Sequence, residues 1–377
     1  MDTNILEVIN VTREVAWLPW AVQYFFLIGL SVGGVLLSLP GYLFGLEGWR
    51  KLGRVALLVA LTCGLAAPVA LLSDLHQPGR FWHFYAVARP SSWMWWGALF
   101  IPFYVGTLLL YAWACVRPEL AEHGRGEGRL AALYRMAALG DGGGTLLLRV
   151  TGALVLLAAA LVALYTGAEV AVVKARPLWN TPFLPVQFLA TALVGASGLV
   201  LLLNRFAGDG DRVVEVQGNR LLASFLGAVM VLGGLWLALG LFGLDDTHAR
   251  ALRSVEGSEA WRVTAVWAVA ATVLPLIIAV ARPSGTGLLT GLIAVHSAWM
   301  FRWTVFIGGQ TVPKTGAGFY EYALPAGPEG MLGILGSAGL WLFLLIVITS
   351  VLPTPRGPLP VPAPKAAASA RIVAAAD

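Results

Sequence analysis

Charge is what this sequence has least of. Only 12% of its 377 residues are Asp, Glu, Lys or Arg, against roughly 25% in soluble domains. Cysteine is almost missing, and both copies, Cys63 and Cys115, fall inside apolar runs. That excludes a disulfide framework and a cysteine-ligated metal centre, and leaves two small buried hydrophobes. Of the five histidines, His76, His83, His123, His248 and His296, only the last lies within an apolar run. A b-type haem held between helices needs paired axial ligands at similar depth, so none is expected. No basic segment precedes an apolar run at the start, where Asp2 follows Met1. A cleavable signal peptide is therefore not expected, and the first span should act as the insertion signal. The glycines at 142–144 have no strand before them and no Lys–Ser/Thr after them, which excludes a phosphate loop.

What the chain has instead is apolar length. Hydrophobic residues make up 58% of it and the mean hydropathy is +0.78, too much apolar surface for a soluble helical core to hide. A span needs roughly 20 apolar residues. Nine runs qualify, at about 20–44, 55–73, 93–116, 146–165, 183–203, 221–241, 263–280, 288–307 and 331–351. The expected fold is all-α, a polytopic transmembrane helical bundle in one domain over 1–352. Its first bundle would cover about 18–168 and its second about 183–308, with 331–351 as an extra span. The connection from 117 to 145 has room for one surface helix. The Pro/Ala-rich segment 353–377 reads as a disordered tail.

The basic residues sort by side. Alternate connections hold Arg50, Lys51, Arg54, Arg117, Arg125, Arg129, Arg135, Arg149, Arg205, Arg212, Arg220, Arg282, Arg356, Lys365 and Arg371. The opposite set holds fewer: Arg13, Arg80, Arg89, Lys174, Arg176, Arg250, Arg253, Arg262 and Lys314. The positive-inside rule places the richer side in the cytoplasm, with the N-terminus outside and the C-terminus inside. The net charge of +5 is thus a topology signal and does not point to nucleic acid.

The polar chemistry gathers at the outward ends of the spans. Trp20, Gln23 and Tyr24 are spaced i, i+3, i+4, the spacing of one helix face. The stretch from Asp74 to Trp96 carries His76, Arg80, His83, Tyr85 and Arg89. Tyr165 and Glu169 are one helical turn apart, and Arg302 sits inside an apolar run. The tryptophans fit an interfacial belt, His83 and Tyr85 fit interfacial hydrogen bonders, and Lys174 and Arg176 fit snorkelling cations. Arg302 needs more, because a charge within a span costs roughly 2.5–3.5 kcal/mol even on permissive scales. Its expected partner is Glu169 or Asp74. Three readings of this face remain open. It can be a pocket for a lipid-soluble quinol, whose hydroxyls need hydrogen-bond partners and a proton acceptor. It can be the substrate path of a secondary transporter, although the charges crowd one edge and the span centres are almost free of ionisable groups. It can also belong to a purely structural anchor with no quinol site.

At these residues the chain resembles a known family. WLPWAVQYFF, DLHQPGRFWHFYAVARPSSWMWWGALFIPFY, YTGAEVAVVKARPLW and RWTVFIGGQTVPKTGAGFYEYALPAGPEGMLGILGSAGLW are similar to the membrane subunits of the NrfD/polysulfide reductase superfamily, on its tetrathionate reductase branch. The resemblance runs from about 17 to 341. It implies a haem-free, metal-free anchor of a respiratory molybdoenzyme in the bacterial inner membrane, oxidising menaquinol or ubiquinol near the periplasmic face. Electrons would pass to a ferredoxin-like iron–sulfur subunit and then to a molybdopterin catalytic subunit that reduces the terminal acceptor. By motif position it points to Gln23 at the quinol head, with Asp74 and His76 behind it. Gln cannot take a proton, so Asp74, His76 and Glu169 become the expected proton-handling residues. Gln23, Tyr24, Arg80, Tyr165 and Arg302 are the expected quinol-binding ones, with Arg302 keeping Glu169 ionised. The cytoplasmic half of the spans offers no relay, so no proton pumping is expected.

Overall fold

A computed structural model describes residues 15–140, 144–312 and 319–352. The tail 353–377 lies outside the described residues, as do Arg13 and Lys314. The helices are α1 (Pro19–Tyr42), α2 (Arg50–Asp74), the single turn α3 (His83–Ala86), α4 (Trp93–Gly124), α5 (Ala131–Ala138), α6 (Thr145–Ala171), α7 (Phe183–Phe206), α8 (Arg212–Leu241), α9 (Asp246–Val255), α10 (Glu259–Ala281), α11 (Gly287–Trp303), α12 (Gly309–Thr311) and α13 (Met331–Val351). No strand occurs among the described residues. Among them, eight helices are long and apolar enough to cross a membrane. The ninth expected span is α11, whose 17 α-helical residues fall short of that length. It runs on through a π turn, Thr304–Gly308, into α12. The protein is an all-α, multi-pass membrane bundle.

Lipid offers no hydrophobic force between helices, so close backbone approach and polar contacts must join them. Two helices form the centre: 83% of the α1 span and 78% of the α7 span is buried, against 11% for α13. α1 packs on α2, α6, α7 and α11, while α7 also packs on α8. Gly33 and Gly34 make this possible. A Cβ on Gly33 would stand 2.6 Å from Ala196 Cβ of α7, and one on Gly34 2.7 Å from Ala56 O of α2. Polar rungs run from α1 to α4. Ser31 meets the Tyr104 hydroxyl at 2.7 Å, and Ser38 meets that of Tyr111 at 3.0 Å. The seven-residue interval on both helices brings both pairs into register. α8, α10 and α13 turn Val231, Val266, Ile277, Leu335 and Phe343 outward, as lipid-facing surfaces should.

The end where α2, α8 and α11 begin is closed by caps. Asp211 accepts from Val213 N at 2.7 Å and pairs with Lys51 of α2, which holds its carboxyl below the usual range. Glu215 accepts from the Gly285 and Gly287 amides at the start of α11. The expected surface helix after α4 is α5. In that separate unit, Arg117 donates to the carbonyls of Ala138 and Leu139.

Candidate functional site

The other end of the bundle, where α1 begins and α2 and α6 end, holds the expected chemistry. Asp74, the last residue of α2, accepts a hydrogen bond from Leu18 N at 3.2 Å. Leu18 itself caps α1 without a side-chain acceptor, so a carboxyl from a neighbouring helix serves the orphan donors there. Glu169, 9% exposed, and Tyr165, 3% exposed, lie on the inner face of α6. They interact with each other, Glu169 with Asp74, and Tyr165 with Tyr24 of α1. The fully buried Tyr24 hydroxyl nevertheless stops short of direct hydrogen-bond geometry with any neighbour. Room for the Tyr165 ring comes from α4, where a Cβ on Gly97 would strike that ring. Four of the expected residues therefore form one cluster of acids and phenols. Glu169, Tyr165 and Tyr24 are its buried part, and Asp74 is half-buried at its edge.

Two others sit outside it at the rim. His76 and Arg80 are exposed and line an open surface hollow of about 510 Å3 with His83, Arg89 and Trp95. His76 still acts on the Asp74 carboxyl, which places it between the cluster and water. Arg80 donates to Gln77 Oε1 at 2.7 Å. Of the two expected snorkelling cations, Arg176 instead staples its loop, donating to Gly309 O at 2.8 Å and Val312 O at 3.1 Å.

Two expectations need correction. Gln23 does not face the cluster. Its Nε2 donates to Ile334 O of α13 at 3.2 Å, and its Oε1 accepts from Trp299 Nε1 of α11 at 2.9 Å. One residue on a helix is about 100° of azimuth, so Gln23 and Tyr24, though neighbours in sequence, serve different interfaces. Nor does Arg302 hold Glu169. It is 1% exposed and donates to Thr191 Oγ1 at 2.6 Å, Phe188 O at 2.8 Å and Ala298 O at 3.2 Å. It makes no ion pair among the described residues. It braces α11 on α7 through the Thr191 hydroxyl and the Phe188 carbonyl, with Gly29 of α1 giving it space.

That arrangement carries a prediction. Arg302→Met should cost less thermal stability than Arg302→Lys, measured as unfolding midpoints in detergent. Methionine removes an uncompensated buried charge, whereas lysine keeps it without the planar fork that reaches three acceptors.

Nothing in the residue pattern signalled a second polar network at the same end. Asp245 caps α9, accepting from His248 N at 2.9 Å and meeting His248 Nδ1 at 2.5 Å. Both bonds hold its carboxyl below the usual range. The other ring nitrogen of His248 meets Thr181 Oγ1 at 2.9 Å. Gln310 was also missed. It accepts from the Ala16 and Trp17 amides and fixes the segment that enters α1.

Residues 7–314 match the family described as Polysulphide reductase, NrfD. The sequence is 36% identical over 365 residues to the C component of tetrathionate reductase from Salmonella typhimurium, covering 92% of this chain and 95% of that one. It is 26% identical to the C component of selenate reductase from Mesobacillus selenatarsenatis, over 80% of this chain and 76% of that one. It is 29% identical to the C component of polysulfide reductase from Wolinella succinogenes, over 79% and 96%.

Proposed function

The chain belongs to the polysulphide reductase NrfD family, and from that membership we propose that it is the quinol-oxidising membrane subunit of a respiratory reductase. The observation that carries the reading is the cluster of Asp74, Glu169, Tyr165 and Tyr24, with His76 leading from Asp74 to the surface. Oxidation of a hydroquinone releases two electrons and two protons. The electrons leave to an iron–sulfur partner subunit, and the protons need acceptors near water. Carboxyls supply them here: Glu169 takes a proton at the buried end, Asp74 passes it on, and His76 meets the solvent. Tyr165 and Tyr24 offer hydroxyls to orient the head. The excess of Lys and Arg at the opposite end supports a periplasmic placement of this site in the inner membrane.

The named relatives are components of tetrathionate, selenate and polysulfide reductases. The similarity to the first supports tetrathionate as the terminal acceptor, reduced on a molybdopterin partner. Membranes carrying the chain with its partner subunits should reduce tetrathionate with a short-tail quinol as donor. Membranes carrying the partners alone should do so only with a soluble dye donor. Equal quinol-dependent rates in both would overturn the reading.

A further inference from the structure

A cavity of about 190 Å3 in the second half of the bundle has no part in the chemistry above. It lies at the same end of the molecule, between the start of α7, the last turns of α8, the start of α10 and the π turn after α11. Trp179, Trp236 and Trp261 give it flat aromatic walls. A dry apolar cavity of about 150 Å3 holds benzene, so this one takes a substituted ring but not a whole lipid. Its outer wall on α8 adjoins Val231 and Leu235, which are exposed to the lipid. A ligand seated there lies beside the outward-facing surface of α8.

The cavity is not wholly apolar. Gln187 lines it, and its Oε1 is buried without a donor, while its Nε2 has only a long 3.5 Å contact with Val229 O. A buried amide oxygen is costly to leave unpaired, so a fitting ligand brings a hydroxyl. Thr181 also lines the cavity. Its hydroxyl is joined through His248 to Asp245, whose side chain is 43% exposed. A second hydroxyl on the ring would thus find a polar contact connected to water.

We propose that this cavity is a second ligand site of the protein, binding the hydroxylated aromatic head of a membrane-soluble hydroquinone, with Gln187 Oε1 as its acceptor. It is a holding site and carries no redox step. It stands independently of whether the Asp74–Glu169 cluster oxidises quinol.

The full chain in lipid nanodiscs, photolabelled with an azido-hydroquinone on a short alkyl tail, tests this by mass spectrometry of its peptides. The expected result is label on the α8 and α10 peptides that carry Trp236 and Trp261. Gly233→Leu should reduce that label roughly tenfold. Gly233 lines the cavity, and a Cβ there meets nothing closer than Gln187 Nε2 at 3.9 Å, so the substitution starts without striking backbone. Gln187→Leu, close in volume, should reduce it several-fold. Label on the α6 peptide carrying Tyr165 reports the first site separately and should not change in either variant. No label on α8 and α10, label indifferent to both variants, or equal displacement by a ringless alkyl alcohol would overturn the proposal.

Discussion

Asp74→Asn should lower quinol-dependent turnover about 100-fold, the lower end of what a positioned acid or base contributes, and leave the bundle assembled. Asparagine keeps an oxygen where Asp74 Oδ1 receives Leu18 N, so the entry to α1 stays in place. What it loses is the ability to take a proton. The effect stays near the lower end because Glu169 remains within the cluster and His76 at its rim. Asp74→Ala removes the acceptor as well and should cost about 1 kcal/mol of stability on top, as for a lost helix cap. Rates with reduced quinol and terminal acceptor, beside elution profiles of the detergent-solubilised chain, separate the two effects. Unchanged turnover in Asp74→Asn would reduce the carboxyl to a cap for α1.

Glu169→Gln tests the proposed proton path at its buried end. The two substitutions together should cost little more than one alone, because groups that pass the same proton do not add.

Much of the fold could be read from the apolar runs, because hydropathy reports which solvent a segment meets. Helix ends were less legible for the same reason. α4 continues past the expected 116 through RPELAEHG, and α8 starts at Arg212 and not near 221. These polar residues sustain the backbone hydrogen bonds of a helix after the lipid has ended. α9 was missed because its ten residues are polar and begin at a cap formed by Asp245. The π turn at Thr304–Gly308 has no signature in composition at all. In the site, residue type and membrane depth were legible, which is why Asp74, Tyr165 and Glu169 come together. Azimuth was not. Gln23 is claimed by Trp299 and by Ile334 of α13, both far along the chain. Arg302 was expected to seek a carboxylate because opposite charges are the commonest remedy for a buried cation. The Thr191 hydroxyl and the carbonyls of Phe188 and Ala298 serve instead, and a sequence does not advertise which neutral oxygens the fold brings to a cation.

Gly34→Leu should abolish the assembled protein. A Cβ at Gly34 would lie 2.7 Å from both Ala56 O and Ala60 N, backbone atoms of α2 that no rotamer change can move. Next to it, Gly33 faces α7, with Ala192 O 3.0 Å from its own would-be Cβ. α1 is therefore held between two helix backbones and cannot retreat from one without striking the other. Overpacking a core that can adjust costs about 1–3 kcal/mol; here the whole α1–α2 crossing must open. Opening it breaks the bond from Ser31 Oγ to Ala60 O, 2.7 Å long, and the rung to Tyr104 that shares that hydroxyl. Gly34→Ala should already lower the unfolding midpoint measurably. Gly48→Leu is the control, since a Cβ there meets nothing within 4 Å, and it should shift stability by no more than about 0.5 kcal/mol. Yield and thermal midpoint of the solubilised protein measure all three. The crossing that Gly34 permits also sets where α2 ends relative to the start of α1. Any Gly34 variant that still folds should therefore lose quinol turnover together with stability, because Asp74 reaches Leu18 only while the two helices remain in contact.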